Sequence, residues 1–281
     1  MTDSGERQKK PACITACLKI GGISAPRIAL WLAAITIVSF AIGFGILALS
    51  GGFPPASHEP FSLFRHSAFN TPNTTEVPLD GAEAGDVALT LGAGELRVNG
   101  GAPDTLLMET TVFTRAPEWQ PELVQGTNNS RKTVEITDKG HKGKEWFAVD
   151  SPNSWTVALT EKVPIRLDVS VGAGDCTLDL RKIPLESLKV SNGAGDTTIE
   201  LGNYPDRRFD ATISSGVGDL TLRVPPESNT RIHAETGLGD ITNNGFFQNG
   251  EIFVTPGFNQ SLAVTEITLN QGVGSIILDT L

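Results

Sequence analysis

From Ile165 to Leu180 apolar and polar residues alternate. Ile165, Leu167, Val169, Val171 and Ala173 fall on one face and polar residues on the other, the pattern of a strand with one side buried. After Gly174-Asp175 the phase slips by one residue, and Cys176, Leu178 and Leu180 carry the apolar face onward. The same slip recurs from Val217 to Leu220, from Leu238 to Ile241 and from Val273 to Ile276. A shift of one residue at a fixed point is what a bulge or sharp bend produces, and glycine supplies the dihedrals and close backbone approach that a bend needs. Each slip coincides with a Gly-x-Gly pair, at Gly92/Gly94, Gly172/Gly174, Gly193/Gly195, Gly216/Gly218, Gly237/Gly239 and Gly272/Gly274. Successive pairs are 80, 21, 23, 21 and 35 residues apart. A period near 21 predicts a stacked β-solenoid whose corners are these glycines, because one rung alone cannot bury its apolar face.

The phase places Cys176 in an interior column with Leu96, Thr197, Leu220, Ile241 and Ile276, as a small packed hydrophobe and not a reactive thiol. Between the first two motifs the texture changes. DTLLMETTVFT, RKTVEIT and SWTVALT alternate like strands around a GHKGKEW loop, which predicts antiparallel hairpins with Trp119, Trp146 and Trp155 closing the end of the stack.

The N-terminal part has another pattern altogether. Residues 28–49 read IALWLAAITIVSFAIGFGILAL without a charge, and as a helix would be about 33 Å long, enough to cross a bilayer core of about 30 Å. A cleaved leader is the competing reading, but 27 residues precede the apolar run where a leader's opening segment is short. Arg7, Lys9, Lys10, Lys19 and Arg27 precede the span, and only Arg65 lies just after it, so residues 1–27 are expected in the cytoplasm. Ser39/Gly43 and Ala41/Gly45 would let two such helices approach closely as a homodimer. Residues 50–82 carry Pro54, Pro55, Pro60, Pro72 and Pro78 and read as an extended tether. The expected organisation is thus a 1–27 tail, a 28–49 transmembrane helix, a 50–82 linker and an all-β domain over 83–281. That domain divides into a capping region (83–160) and Gly-x-Gly-Asp rungs (161–281).

Charge narrows the partners. Up to residue 53 there are five basic and two acidic residues, which leaves 17 basic and 30 acidic residues beyond it. So acidic a domain suits neither nucleic acid nor anionic lipid. Cys13, Cys17 and Cys176 cannot form a disulfide framework, and no further Cys or His pair completes a zinc site near the first two. The Gly-x-Gly pairs are followed by strand-like sequence, where a phosphate site would need a helix N-terminus. Asp175, Asp196, Asp219 and Asp240 should form a column if their rungs adjoin. They would either hold Ca²⁺ or, as favoured here, accept hydrogen bonds from the amides of their own corners. His58-Glu59 lacks the second His of a zinc-protease motif, with Ser62 in its place, and His141 and His233 stand isolated. No catalytic residue, cofactor or metal is assigned.

VALTLGAGELRVNGGAP, PEWQPEL, PIRLDVSVGAGDCTLDL, SLKVSNGAGDTTIEL, GVGDLTLRVP, TGLGDI and LNQGVGSIILD, in that order, resemble the bacterial toast-rack family. That family is similar to the extracytoplasmic domain of cell-wall-active antibiotics response proteins and, more distantly, to adhesin-like proteins with Gly-rich β-helical domains. The resemblance implies a β-solenoid shown at the bacterial cell surface and carries over no active site. The expected protein is a single-pass membrane protein that binds and does not catalyse. Its role is an envelope-stress or cell-wall-associated sensor or scaffold, with a surface adhesin as the alternative and a carbohydrate-active enzyme as a distant third. Its partners would be the bilayer through residues 28–49 and an envelope protein or cell-wall glycan.

Overall fold

A computed structural model describes residues 72–113, 120–138, 153–204 and 208–281. All lie in the second of the chain's two compact units, His66–Leu281. The predicted span, Cys13, Cys17, Trp119, Trp146 and His141 fall outside the described residues, among which no helix is long and apolar enough to cross a membrane.

The described structure is all β. Each Gly-x-Gly motif joins a long strand to a short one. The long and short partners are β2 (Ala84–Ala93) and β3 (Glu95–Gly100), β8 (Ile165–Ala173) and β9 (Cys176–Leu180), and β10 (Leu185–Ala194) and β11 (Thr197–Leu201). They continue as β12 (Phe209–Val217) and β13 (Leu220–Val224), β14 (Thr230–Leu238) and β15 (Ile241–Asn244), and β18 (Thr265–Val273) and β19 (Ile276–Thr280). Long strands pair in parallel in one sheet and short strands in a second, and their inward residues form one core that includes Leu89, Val169, Leu178, Ile213 and Leu278. The interior column runs Leu96, Cys176, Thr197, Leu220, Ile276, Ile241 in register, as the alternation predicts.

The spatial order of the rungs departs from the chain order. The last rung, β18–β19, inserts between β12–β13 and β14–β15. The 35-residue gap before the last motif holds the means. β14–β15 is followed by a hairpin, β16 (Phe247–Asn249) and β17 (Ile252–Val254), that adds antiparallel to β14. The loop after it returns the chain to the edges of β12 and β13, where β18 and β19 pair in parallel.

Residues 83–160 are only partly a hairpin region. β5 (Glu122–Asn128) and β6 (Arg131–Thr137) form a hairpin, and β4 (Leu106–Phe113) runs antiparallel to β7 (Ser154–Leu159). Yet β6 is parallel to β2 and β7 is parallel to β3, so this pair continues the stack as a rung without a glycine corner. The fold also starts earlier than the predicted linker end: β1 (Asn73–Pro78) pairs antiparallel with β4. Its Pro78 sits at the strand end, where a missing N–H costs nothing. Trp155, 1% exposed, does not close the stack. It fills the interior column beside Leu96, and β4 and β1 lie beyond it.

Candidate binding surface

The corner is the feature that repeats, and two adjacent rungs show why both glycines are needed. A Cβ on Gly172 would lie 2.4 Å from the Gly92 carbonyl oxygen, and one on Gly174 would lie 1.7 Å from that of Gly94. Gly174 also has φ +135°, a region L-residues avoid. The rungs therefore touch backbone to backbone, and Gly174 N–H donates to the Ala194 carbonyl at 2.7 Å.

The residue between the two glycines turns outward, contrary to the simple phase slip. Ala173 is exposed, and so are Val217 (54%), Val273 (45%) and Leu238 (70%). The inner face stops one residue before the first glycine and resumes after the acid, so the four residues between round the corner with no side chain inside. The outward residues stack in register as a ridge, Ala93, Ala173, Ala194, Val217, Val273, Leu238. It grows from methyl groups to branched side chains toward the C-terminal end.

The acids form a ladder, but each serves its neighbour and not its own corner. Asp175 Oδ1 accepts from Asp196 N–H at 3.2 Å, Asp196 Oδ1 from Asp219 N–H at 2.9 Å, and Asp219 Oδ1 from Ser275 N–H at 2.9 Å. Ser275 replaces an acid where the inserted rung falls, so Asp219 and Asp240 are not adjacent. Inside the same corners Asn192, Ser215 and Gln271 are buried where the alternation calls for apolar residues. The Asn192 amide donates to the carbonyls of Gly174 and Gly195, and that of Gln271 to those of Gly218 and Val273. The corner carbonyls point into the stack, and an amide satisfies them where Leu91 and Val171 cannot. An amide residue in the inward phase directly before a Gly-x-Gly is the sequence signal for this arrangement; the Ser215 hydroxyl, buried at the same position, makes no hydrogen bond among the described residues.

A model of the N-terminal domain of toast_rack, DUF2154, matches residues 67–223. The chain belongs to the toast-rack family. Among solved structures, a candidate cell adhesion protein from Clostridium sporogenes is 29% identical, covers 75% of this chain and 99% of its own, and superposes with a TM-score of 0.71. A candidate adhesin from Bacteroides fragilis is more distant, at 13% identity, 74% and 97% coverage and a TM-score of 0.30. No curated protein sequence matches.

Two site residues of this toast-rack stack read differently in three dimensions. Cys176 is buried, and desolvation pushes its thiol up to about 12, as a packed hydrophobe requires. His233 is not isolated. Its Nε2 lies 3.6 Å from Glu235 Oε1 and 3.4 Å from Glu251 Oε2. Among the described residues, this is the group that brings three candidate metal donors together, and the Asp ladder does not. Glu235 shares a strand face with His233 two residues away; Glu251 arrives through the β14–β17 pairing, which no local pattern reveals.

Proposed function

We propose that this toast-rack protein is a membrane-anchored, extracytoplasmic binding protein of the adhesin type. It acts by displaying the outer faces of a rigid stack. The observation that carries the reading is the match to the Clostridium sporogenes protein over 99% of that chain at 29% identity. The apolar span at 28–49 and the five basic residues before it supply an anchor with the β domain outside. The chemistry available for binding is on the surface: stacked side chains repeat at the strand spacing, while the core is closed by aliphatic and aromatic residues.

Cells carrying or lacking the full-length protein would be compared for attachment to isolated cell walls and to neighbouring cells. Protease added outside should remove residues beyond 83 and spare the N-terminal stub. Attachment that is the same with and without the protein, or protection of the β domain, would sink this reading. An envelope sensor is the second reading, favoured by the 27-residue segment before the span. It requires a cytoplasmic or membrane partner that crosslinks to the protein in intact cells.

A further inference from the structure

One outward column of the short-strand sheet is almost entirely threonine. In the rungs, Thr177, Thr198 and Thr221 stand side by side, and Thr242 follows one strand further on, beyond Ile277. At the other end Thr74, Thr111 and Thr156 occupy the same column on β1, β4 and β7, and Arg97 bridges the two runs. Seven of nine positions are thus threonine. Three of those seven lie on strands with no Gly-x-Gly motif, so descent from a common repeat does not explain them. Strand propensity alone does not explain them either. The next outward column of the same sheet, which includes Glu109, Ala158, Asn99, Asp179, Glu200 and Asp279, contains no threonine.

The hydroxyls are available. Thr74 and Thr111 face each other at 3.3 Å. The side chains of Thr156, Thr177, Thr198, Thr221 and Thr242 make no hydrogen bond among the described residues, and all five are exposed or half-buried. Nine strands at about 4.8 Å make a track about 38 Å long. Asp175, Asp196, Asp219 and Asp240 border it at the corner, while the column beyond reads Asp179, Glu200, Arg223 and Asp279, its three carboxylates ion-paired with Arg181 and Arg223.

We propose that this threonine track binds an extended, uncharged, β-linked polysaccharide lying across the strands; the inference rests on the adhesin reading and names its ligand class. An extended β-linked pyranose chain advances by nearly one strand spacing per sugar, so successive sugars meet equivalent hydroxyls. Thr hydroxyls can donate to and accept from sugar hydroxyls, and the corner carboxylates accept further bonds. The corner carboxylates repel polyanions, and the arginines of the far border are already ion-paired, which leaves a neutral chain as the occupant.

The test is calorimetric titration of the full-length protein in detergent with N-acetylglucosamine dimer, tetramer and hexamer. Affinity should rise with length and change little with salt. Replacing Thr177, Thr198 and Thr221 together by Val keeps shape and strand propensity, and should weaken hexamer binding about tenfold or more. Replacing the same three by Ser should retain binding, and the Ser variant serves if the Val variant fails to fold. Ser170→Ala, Ser191→Ala and Ser214→Ala, on the outer face of the other sheet, should change nothing. No hexamer binding, an unaltered Val variant, or binding that collapses with salt and passes to poly-lysine would overturn the track. Attachment that depends on the protein but survives the Val substitutions would sink the track and leave the adhesin reading standing. Attachment indifferent to the protein would sink the reading, and the titration would still decide the track.

Discussion

The middle of the stack and its C-terminal third are built from the same rung yet assembled by different rules. From β8 to β13 chain order and spatial order coincide, and each rung is laid on the one before it. From β14 to β19 they do not: the last rung sits inside the stack and the rung before it sits at the end. The two regions have interchangeable corners, since Gly274 lies against Gly218 and Gly239 against Gly274 as closely as Gly195 lies against Gly174. The difference teaches that a repeat specifies how rungs fit, while the connections decide which rungs meet.

Removal of residues 265–281 breaks the comparison most severely. It takes Ile267, Leu269, Ile276 and Leu278 out of the core, and at about 1.5 kcal/mol or more for each buried side chain the loss is on the order of 6 kcal/mol. It also strips β14–β15 of its parallel neighbour, so residues 230–254 should become protease-sensitive while residues up to 224 stay protected. A truncated chain that unfolds at the same denaturant concentration as the intact one would mean that rung order is interchangeable after all.

The corner is the feature the two regions share, and Gly174→Ala probes it. The new Cβ would overlap the Gly94 carbonyl oxygen at 1.7 Å, and backbone on both sides has nowhere to go, so a loss of about 4 kcal/mol or more is expected in denaturant unfolding. Gly239→Ala at the stack's end meets the Gly274 carbonyl at 1.9 Å, but there the terminal rung can shift outward and the loss should be smaller. Gly81→Ala, with φ +73° and open space around it, should cost only about 1 kcal/mol. Equal losses at Gly174 and Gly81 would show that dihedral preference, and not contact between rungs, demands the corner glycines.

How much of this was legible follows from the range of each interaction. Period two and the Gly-x-Gly pairs are local, so the rungs, their corners and the Cys176 column could be read from the chain. The outward turn of Val217 and Leu238 could not, because hydrophobicity alone places both in the core. Bend geometry puts them outside. The insertion of β18–β19 and the rung made by β6 and β7 depend on partners distant in sequence, and no spacing encodes them. The sequence marks Asp175 as a hydrogen-bond acceptor at the corner, but its partner is on the next rung, which only stacking supplies. The His233–Glu251 approach was invisible for the same reason.

Cys176 separates burial from chemistry within the regular region. An unfolded thiol titrates near 9.0 and the folded one is pushed up to about 12, so between these values the folded state keeps a proton that the unfolded state has lost. Its contribution is therefore fully present below pH 9 and is lost as pH rises toward 12, by up to roughly 1.4 kcal/mol per pH unit. Cys176→Ala should abolish that component when stability is followed from pH 8 to 11, and thiol reagents should label the native protein only on unfolding. Rapid native labelling would remove Cys176 from the interior column.

The smallest effects are expected along the acid ladder, where they sharpen the comparison. Asp196 accepts the Asp219 amide across two sequential rungs, and Asp219 accepts the Ser275 amide across the insertion. Asn at either position keeps an acceptor oxygen. At Asp196 it also relieves repulsion from Asp175 and Asp219, whereas at Asp219 one neighbour is the uncharged Ser275. Asp196→Asn should therefore lie within about 1 kcal/mol of the parent and be the more favourable of the two, and Ala at either site should cost about 1 kcal/mol through the lost amide bond. The difference between the two Asn variants should shrink as salt screens the column. If chelation lowers the melting temperature of the parent by about 5 °C and Asn at these sites removes that sensitivity, the ladder is a cation site and the amide bonds are secondary.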